Sequence, residues 1–178
     1  MSRIRNRRFW MTSGVGVLIS LAGLTANRVF ADDAMPNIVV SVGLKVLSMQ
    51  KQFSGKPEGI TVFVLDDANV AKAFQASVNT TVGSMKVARV LSGSELPTEK
   101  PDVLFIGGRD KVEAAIAYTR TQKVLSMARS DRLISKGVTL TVYQTPDGKA
   151  QITMNMSGAL LEGVDINPAT LKVASVAK

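Results

Sequence analysis

A short apolar run, Val103-Leu104-Phe105-Ile106, passes directly into Gly107-Gly108-Arg109-Asp110. Four apolar residues in succession leave no polar face, so a strand built from them must be covered on both sides. The two glycines turn the chain. Asp110 is then placed to open an amphipathic helix, with Val112, Ala115, Ile116 and Thr119 at helical spacing out to about Gln122. Crossover helices are what cover both faces of a mainly parallel sheet, and that places the chain among α/β folds.

The flanking segments follow the same grammar. Ile60-Thr61-Val62-Phe63-Val64-Leu65 is β-branched and nearly all apolar, which predicts a central strand. Asp66-Asp67 ends it and supplies a cap for a helix whose Val70, Phe74 and Val78 share one face. Ahead of it, Pro36 suits a first helical turn, with Asp32 and Asp33 as caps, and Val39, Val42, Val46, Met49 and Phe53 predict an amphipathic helix over 36–53. A loop, 54–59, joins the two. Met85 to Leu91 reads as a second strand, near an edge because it carries Lys86 and Arg89. A polar loop runs from Ser92 to Pro101, and Lys123 to Ala128 is a further short strand. Ser130 and Asp131 are placed to cap a brief helix ending near Lys136-Gly137.

From Val138 the period changes to two. Val138, Leu140 and Val142 alternate with Thr139, Thr141 and Tyr143, and beyond Pro146-Asp147-Gly148 the residues Ile152, Met154 and Met156 alternate with polar ones. That is a β-hairpin, with both methionines expected on its core face rather than as metal ligands. A short helix over 157–162 and a last one from Asn167 or Pro168 complete the order. The expected fold is a three-layer, Rossmann-like α/β sandwich: a mostly parallel sheet with a C-terminal antiparallel β-hairpin at one edge.

The first 31 residues read differently. Arginines stand at positions 3, 5, 7 and 8, the 18 residues from Phe9 to Ala26 carry no charge, and Val29-Phe30-Ala31 supplies a small-residue exit. This predicts an export signal cleaved after Ala31, leaving 32–178 as a single domain; the alternative is an uncleaved anchor, and Arg7-Arg8-Phe9 leaves a twin-arginine route open. Without that segment, 17 Lys+Arg face 14 Asp+Glu, so the net charge drops from +8 to +3. The basic character belongs mainly to the signal, which argues against a nucleic-acid partner.

The chain has no cysteine and no histidine. That removes disulfides, Ser-His-Asp and Cys-His catalysis and the usual zinc sites, leaving carboxylate or Ser-Lys chemistry as the enzymatic options. Ser126, Ser130 and Lys136 contain the Ser-Lys types without a spacing that singles them out. No cofactor is expected. In an α/β sheet, ligands bind at the C-terminal ends of the strands, so Asp66, Gly107, Gly108 and Arg109 are the candidate ligand-binding residues. The glycine pair fits neither the Walker nor the dinucleotide pattern, and helix capping accounts for the Asp66-Asp67 pair.

Several blocks fall in a known order: Ile60 to Asp67, Thr81-Val82-Gly83, Val87-Ala88-Arg89-Val90, Asp102 to Gly107, Val138 to Val142, Ile152 to Met156, and Gly163-Val164-Asp165-Ile166-Asn167-Pro168-Ala169-Thr170-Leu171. In these blocks the chain resembles the YfiR family of small periplasmic proteins, over about residues 36–174. The resemblance implies a non-enzymatic regulator that binds the periplasmic sensor domain of an inner-membrane diguanylate cyclase. Holding that cyclase inactive controls cyclic di-GMP and biofilm formation. Two features depart from the family: the cysteines many members carry are absent, and Leu44-Lys45-Val46-Leu47-Ser48-Met49 stands where an aromatic-rich segment with Trp-Pro is expected. Homodimerisation is left open, and the competing reading is a periplasmic small-ligand-binding or sensor protein. An exposed apolar patch favours the regulator, whereas a polar pocket at residues 66 and 107–109 favours the ligand binder.

Overall fold

The structure is a computed structural model that describes residues 35–177. The basic and apolar export segment, its cleavage site, and the Asp32 and Asp33 caps lie outside the described residues. Among the described residues are four α-helices: α1 (Pro36–Ser48), α2 (Ala68–Gln75), α3 (Val112–Gln122) and α4 (Met156–Glu162). The strands are β1 (Ile60–Leu65), β2 (Thr81–Val82), β3 (Met85–Gly93), β4 (Val103–Ile106), β5 (Leu125–Ala128), β6 (Leu140–Gln144), β7 (Ala150–Asn155) and β8 (Ser175–Ala177). They form one sheet in the order β2-β3-β1-β4-β5-β6-β7-β8. Pairing is parallel from β3 through β6 and between β7 and β8, and antiparallel in β2–β3 and β6–β7.

The expected α/β architecture is present, with β1 and β4 side by side inside the sheet. Alternate residues of these strands enter two different cores. Val62, Val64, Val103 and Phe105 join Leu44 and Leu47 of α1 and Val70 and Phe74 of α2 on one face. Phe63, Leu65, Leu104 and Ile106 meet Val112, Ala115 and Ile116 of α3 on the other. Phe74 and Phe105 meet edge-to-face at 6.1 Å, which locks α2 onto β4. Covering both faces is why these strands carry no polar alternation. At the start of β1, Asp102 accepts from Thr61 N–H at 2.8 Å and from the Lys56 ammonium at 2.9 Å. Desolvation pulls the Lys56 pKa down, but the hydrogen bond and charge of Asp102, helped by Glu58, outweigh it and hold the ammonium above its ordinary value.

Several expectations change at element ends, each for a local reason. The first helix stops at Ser48 rather than Phe53. Gln50 Nε2 donates to Val46 O, and Asn167 Nδ2 to Met49 O, so Gln50 and the C-terminal segment each take up a carbonyl at the helix end. Asp110 does not open α3: Lys111 occupies the N-cap, without a side-chain cap, and the helix begins two residues after Asp110. Lys123 closes α3 in the left-handed conformation (φ 55°), which delays β5 to Leu125. Ser130 sits at the N-cap of the 3₁₀ turn Asp131–Leu133, but its hydroxyl makes no cap hydrogen bond.

The hairpin is β6–β7, closed by Thr145 N–H donating to Lys149 O at 2.9 Å. It is not the sheet edge. The last segment makes a 3₁₀ turn, Thr170–Lys172, instead of a helix, and then adds β8 alongside β7. Thr139, just before β6, and Thr141 within it are buried like the apolar residues they alternate with. Met154 is in the core as expected. Met156 is not on its strand face: Asn155 Oδ1 accepts from Gly158 N–H, turns the chain into α4, and leaves Met156 exposed.

Candidate functional site

The chain leaves β1 into α2 on one face and leaves β4 into α3 on the other, so the C-terminal ends of these neighbouring strands form a switch point, where α/β sheets hold ligands. Three of the four nominated residues meet there. Gly107 N–H donates to Leu65 O at 2.8 Å. A Cβ on Gly107 would overlap Asp67 Cβ and stand 2.8 Å from Leu65 O, so only glycine permits this approach. A Cβ on Gly108 would come within 3.0 Å of the Asp66 side chain. The gap between the two strand ends is therefore taken up by the Asp66 and Asp67 side chains against the glycine backbone.

The two carboxylates have separate tasks. Asp67 Oδ1 accepts from Val70 N–H at 3.0 Å, the cap expected of it. Its Oδ2 lies 2.9 Å from Arg129 Nε, and only 5% of the Asp67 side chain is exposed. This ion pair ties the end of β1 to the end of β5 across β4. No signal in the sequence singles out Arg129, because only the strand order makes it a neighbour of Asp67. Asp66 is exposed, at φ 55°, and lines a hollow of about 370 Å³ with Val64, Asp67, Ala68, Ser92 and Gly93. Beside it the Lys111 ammonium donates to Glu95 at 2.9 Å and to Ser94 O, which pins the 94–95 loop to the start of α3. The Glu95 hydrogen bond comes first among the causes that raise the Lys111 pKa.

Arg109 departs from the other three. It lines a different cleft, of about 360 Å³, with Asp110, Val112 and Glu113 on the α3 side and Ser130, Arg132, Leu133 and Lys136 opposite. Ser130 and Lys136 therefore share a cleft, whereas Ser126 is fully buried and its Oγ accepts from Thr139 N–H at 2.9 Å. No Ser-Lys catalytic pair involving Ser126 can meet a substrate in this arrangement.

The opposite end of the sheet holds features the sequence did not single out. Glu162 is 1% exposed. Its Oε1 accepts from the Thr119 hydroxyl at 2.7 Å and its Oε2 from Ser126 N–H at 2.9 Å, joining α4, α3 and β5. Gln50, also buried, donates to Thr170 Oγ1 at 2.8 Å and accepts from Asn167 N–H at 2.9 Å. Around these anchors several apolar side chains point outward among exposed polar ones such as Ser157, Lys172 and Ser175: Leu160 is 79% exposed, Leu161 47%, Val173 57% and Val176 48%. Met156 and Leu171 are exposed as well. Among the described residues, no helix is long and apolar enough to cross a membrane.

Comparison with known proteins places this architecture. The family model described as YfiR/HmsC-like matches residues 48–175. No curated protein matches the chain. Among solved structures, a conserved domain protein from Vibrio cholerae O1 biovar eltor superposes with a TM-score of 0.56 at 13% identity, over 82% of this chain and 61% of that one. The chain thus spans less than two thirds of that protein's length, and at this identity the likeness is one of fold alone.

Proposed function

The chain belongs to the YfiR/HmsC-like family, and from that premise we propose that it is an exported, non-enzymatic regulator of an inner-membrane diguanylate cyclase. It binds the cyclase's periplasmic sensor domain and holds the enzyme inactive, which lowers cyclic di-GMP and restrains biofilm formation. The family is generally regulatory rather than enzymatic. Residues 1–31, with their basic start, uncharged apolar run and small-residue exit, deliver residues 32–178 to the periplasm as a single domain.

The observation that carries the reading is the concentration of exposed apolar side chains on α4, the 170–172 turn and β8. Of the seven large hydrophobic residues exposed among the described residues, six lie between Met156 and Val176, and only Met35 lies elsewhere. Scattered singly they would need no explanation; gathered on the last elements of the fold they supply the apolar centre a protein interface needs. Repression then follows from population shift: the regulator restrains the cyclase only to the extent that it binds the inactive conformation more tightly than the active one.

The test is affinity purification of the protein from solubilised membranes of its host, followed by a cyclase assay on what is recovered. Recovery of a membrane protein with a cytoplasmic cyclase domain, whose activity falls on adding the regulator, is the expected result. A folded protein that recovers no membrane protein overturns the proposal.

A further inference from the structure

We infer that the cleft between the start of α3 and the 130–136 segment binds a small organic anion: a phosphate or carboxylate group carried on an apolar body. The 130–136 wall of the cleft touches the start of α4, where Asn155 Nδ2 donates to Ile134 O at 3.3 Å; the inference does not depend on the proposed partner. The cleft measures about 360 Å³, within the usual range for small-molecule sites. Its two walls differ. The α3 wall is mixed, with Arg109 beside Asp110 and Glu113, whereas the facing wall presents Ser130, Arg132 and Lys136, and Asp131 between them keeps its Oδ1 buried and does not line the cleft. The floor is apolar, made by Val112 and Leu133, which are 4% and 8% exposed.

Arg109, Lys136 and Ser130 keep polar atoms available to a ligand in this cleft. Among the described residues, neither Arg109 nor Lys136 forms an ion pair. Ser130, although at a helix N-cap, spends no hydrogen bond on the cap. Behind Lys136, the Arg120 guanidinium lies against Gly137, and its Nε is buried without a hydrogen-bond partner. Gly137 has φ +112°, so a side chain there would be strained and would also collide with Arg120. Arg120 does not line the cleft, but its charge behind the 136–137 turn adds to the positive potential that an anion there would meet. An acidic group is therefore received by Lys136, Arg132 and the Ser130 hydroxyl, with Arg109 reaching from the other wall. Its apolar body rests on Val112 and Leu133.

The experiment is titration calorimetry on the purified protein with four probes: phenyl phosphate, benzoate, inorganic phosphate and benzyl alcohol. Saturable binding of phenyl phosphate or benzoate, tighter than that of inorganic phosphate and of benzyl alcohol, is expected. Whichever organic acid binds better identifies the headgroup. The Ser130→Ala, Lys136→Gln double variant should bind about tenfold more weakly or worse, the loss of charge-assisted hydrogen bonds, with an unchanged unfolding midpoint in the absence of probe. Lys172→Gln, remote from the cleft, should bind like the parent. The proposal is overturned by an absence of saturation up to about 10 mM, where binding is weaker than any useful site. It is equally overturned if benzyl alcohol or inorganic phosphate binds as well as the organic acids, or if the double variant retains full affinity.

Discussion

Where β1, β4 and β5 finish, the surface is ionic, with Asp66, Arg109, Arg132 and Lys136 facing solvent around two hollows and the Asp67–Arg129 pair beneath them. Beyond the other end, on α4 and β8, Leu160, Leu161 and Val176 point outward beside Met156, Ser157 and Ser175, and the charged Glu162 is turned inward. The two regions invert one another: one exposes charge over a closed crevice, the other exposes apolar surface over a buried carboxylate. Neighbouring parts of one sheet can thus serve different partners, since ionic hollows receive small polar molecules and apolar patches receive proteins.

Three experiments probe this inversion. The largest effect should come from Arg129→Met, which leaves the Asp67 carboxylate buried without its cation; we expect a loss of about 3 kcal/mol in urea unfolding. Glu162→Ala, at the other end, strands Ser126 N–H, whereas the Thr119 hydroxyl still has Ile116 O, and should cost about 2 kcal/mol, while Glu162→Gln keeps an acceptor and should cost roughly half as much. If both ends lost stability equally on losing only their exposed residues, the contrast would fail. The double variant Leu160→Asn, Leu161→Asn should change stability by less than about 0.5 kcal/mol yet weaken cyclase binding at least about tenfold, as measured by co-purification and calorimetry.

The smallest effect concerns the hairpin tip, which belongs to neither end. Hydrogen bonds from Lys149 first, then from Thr145, hold the Asp147 pKa below its ordinary 3.8. A depressed carboxylate contributes stability that is complete above the ordinary value and lost as pH falls through the folded one. Amide exchange at Gly148 should therefore quicken relative to the sheet only below about pH 3.8, and an onset near neutrality would contradict the assignment.

The core of the fold could be read from residue types alone, because β1 and β4 are apolar on both faces and the hairpin alternates around Pro146-Asp147-Gly148. Element ends were less accessible. Asp110 has the chemistry of a cap, but Lys111 takes the position, and the segment after Asn167 has a helical look that β7's open edge turns into strand pairing. The candidate site was half readable. Asp66, Gly107 and Gly108 come together because they end adjacent strands. Arg109 leaves them, because a single further residue carries the chain onto the α3 side of the sheet. Arg129 and Glu162 could not be found this way, since their partners are distant in sequence and no local pattern records them.

The contacts of Gln50 bear on how the molecule can be assembled in time. Its side chain, fully buried, bonds to Asn167 and Thr170, 117 and 120 residues away. A growing chain exposes α1 early and can pair the Gln50 amide only with Val46 O until residues 167–170 are available. Closing so long a loop is among the slower steps of folding. An intermediate lacking that clasp would leave α1 loosely held, so a peptide comprising residues 163–172 should accelerate the closing step when added to a chain shortened before Gly163.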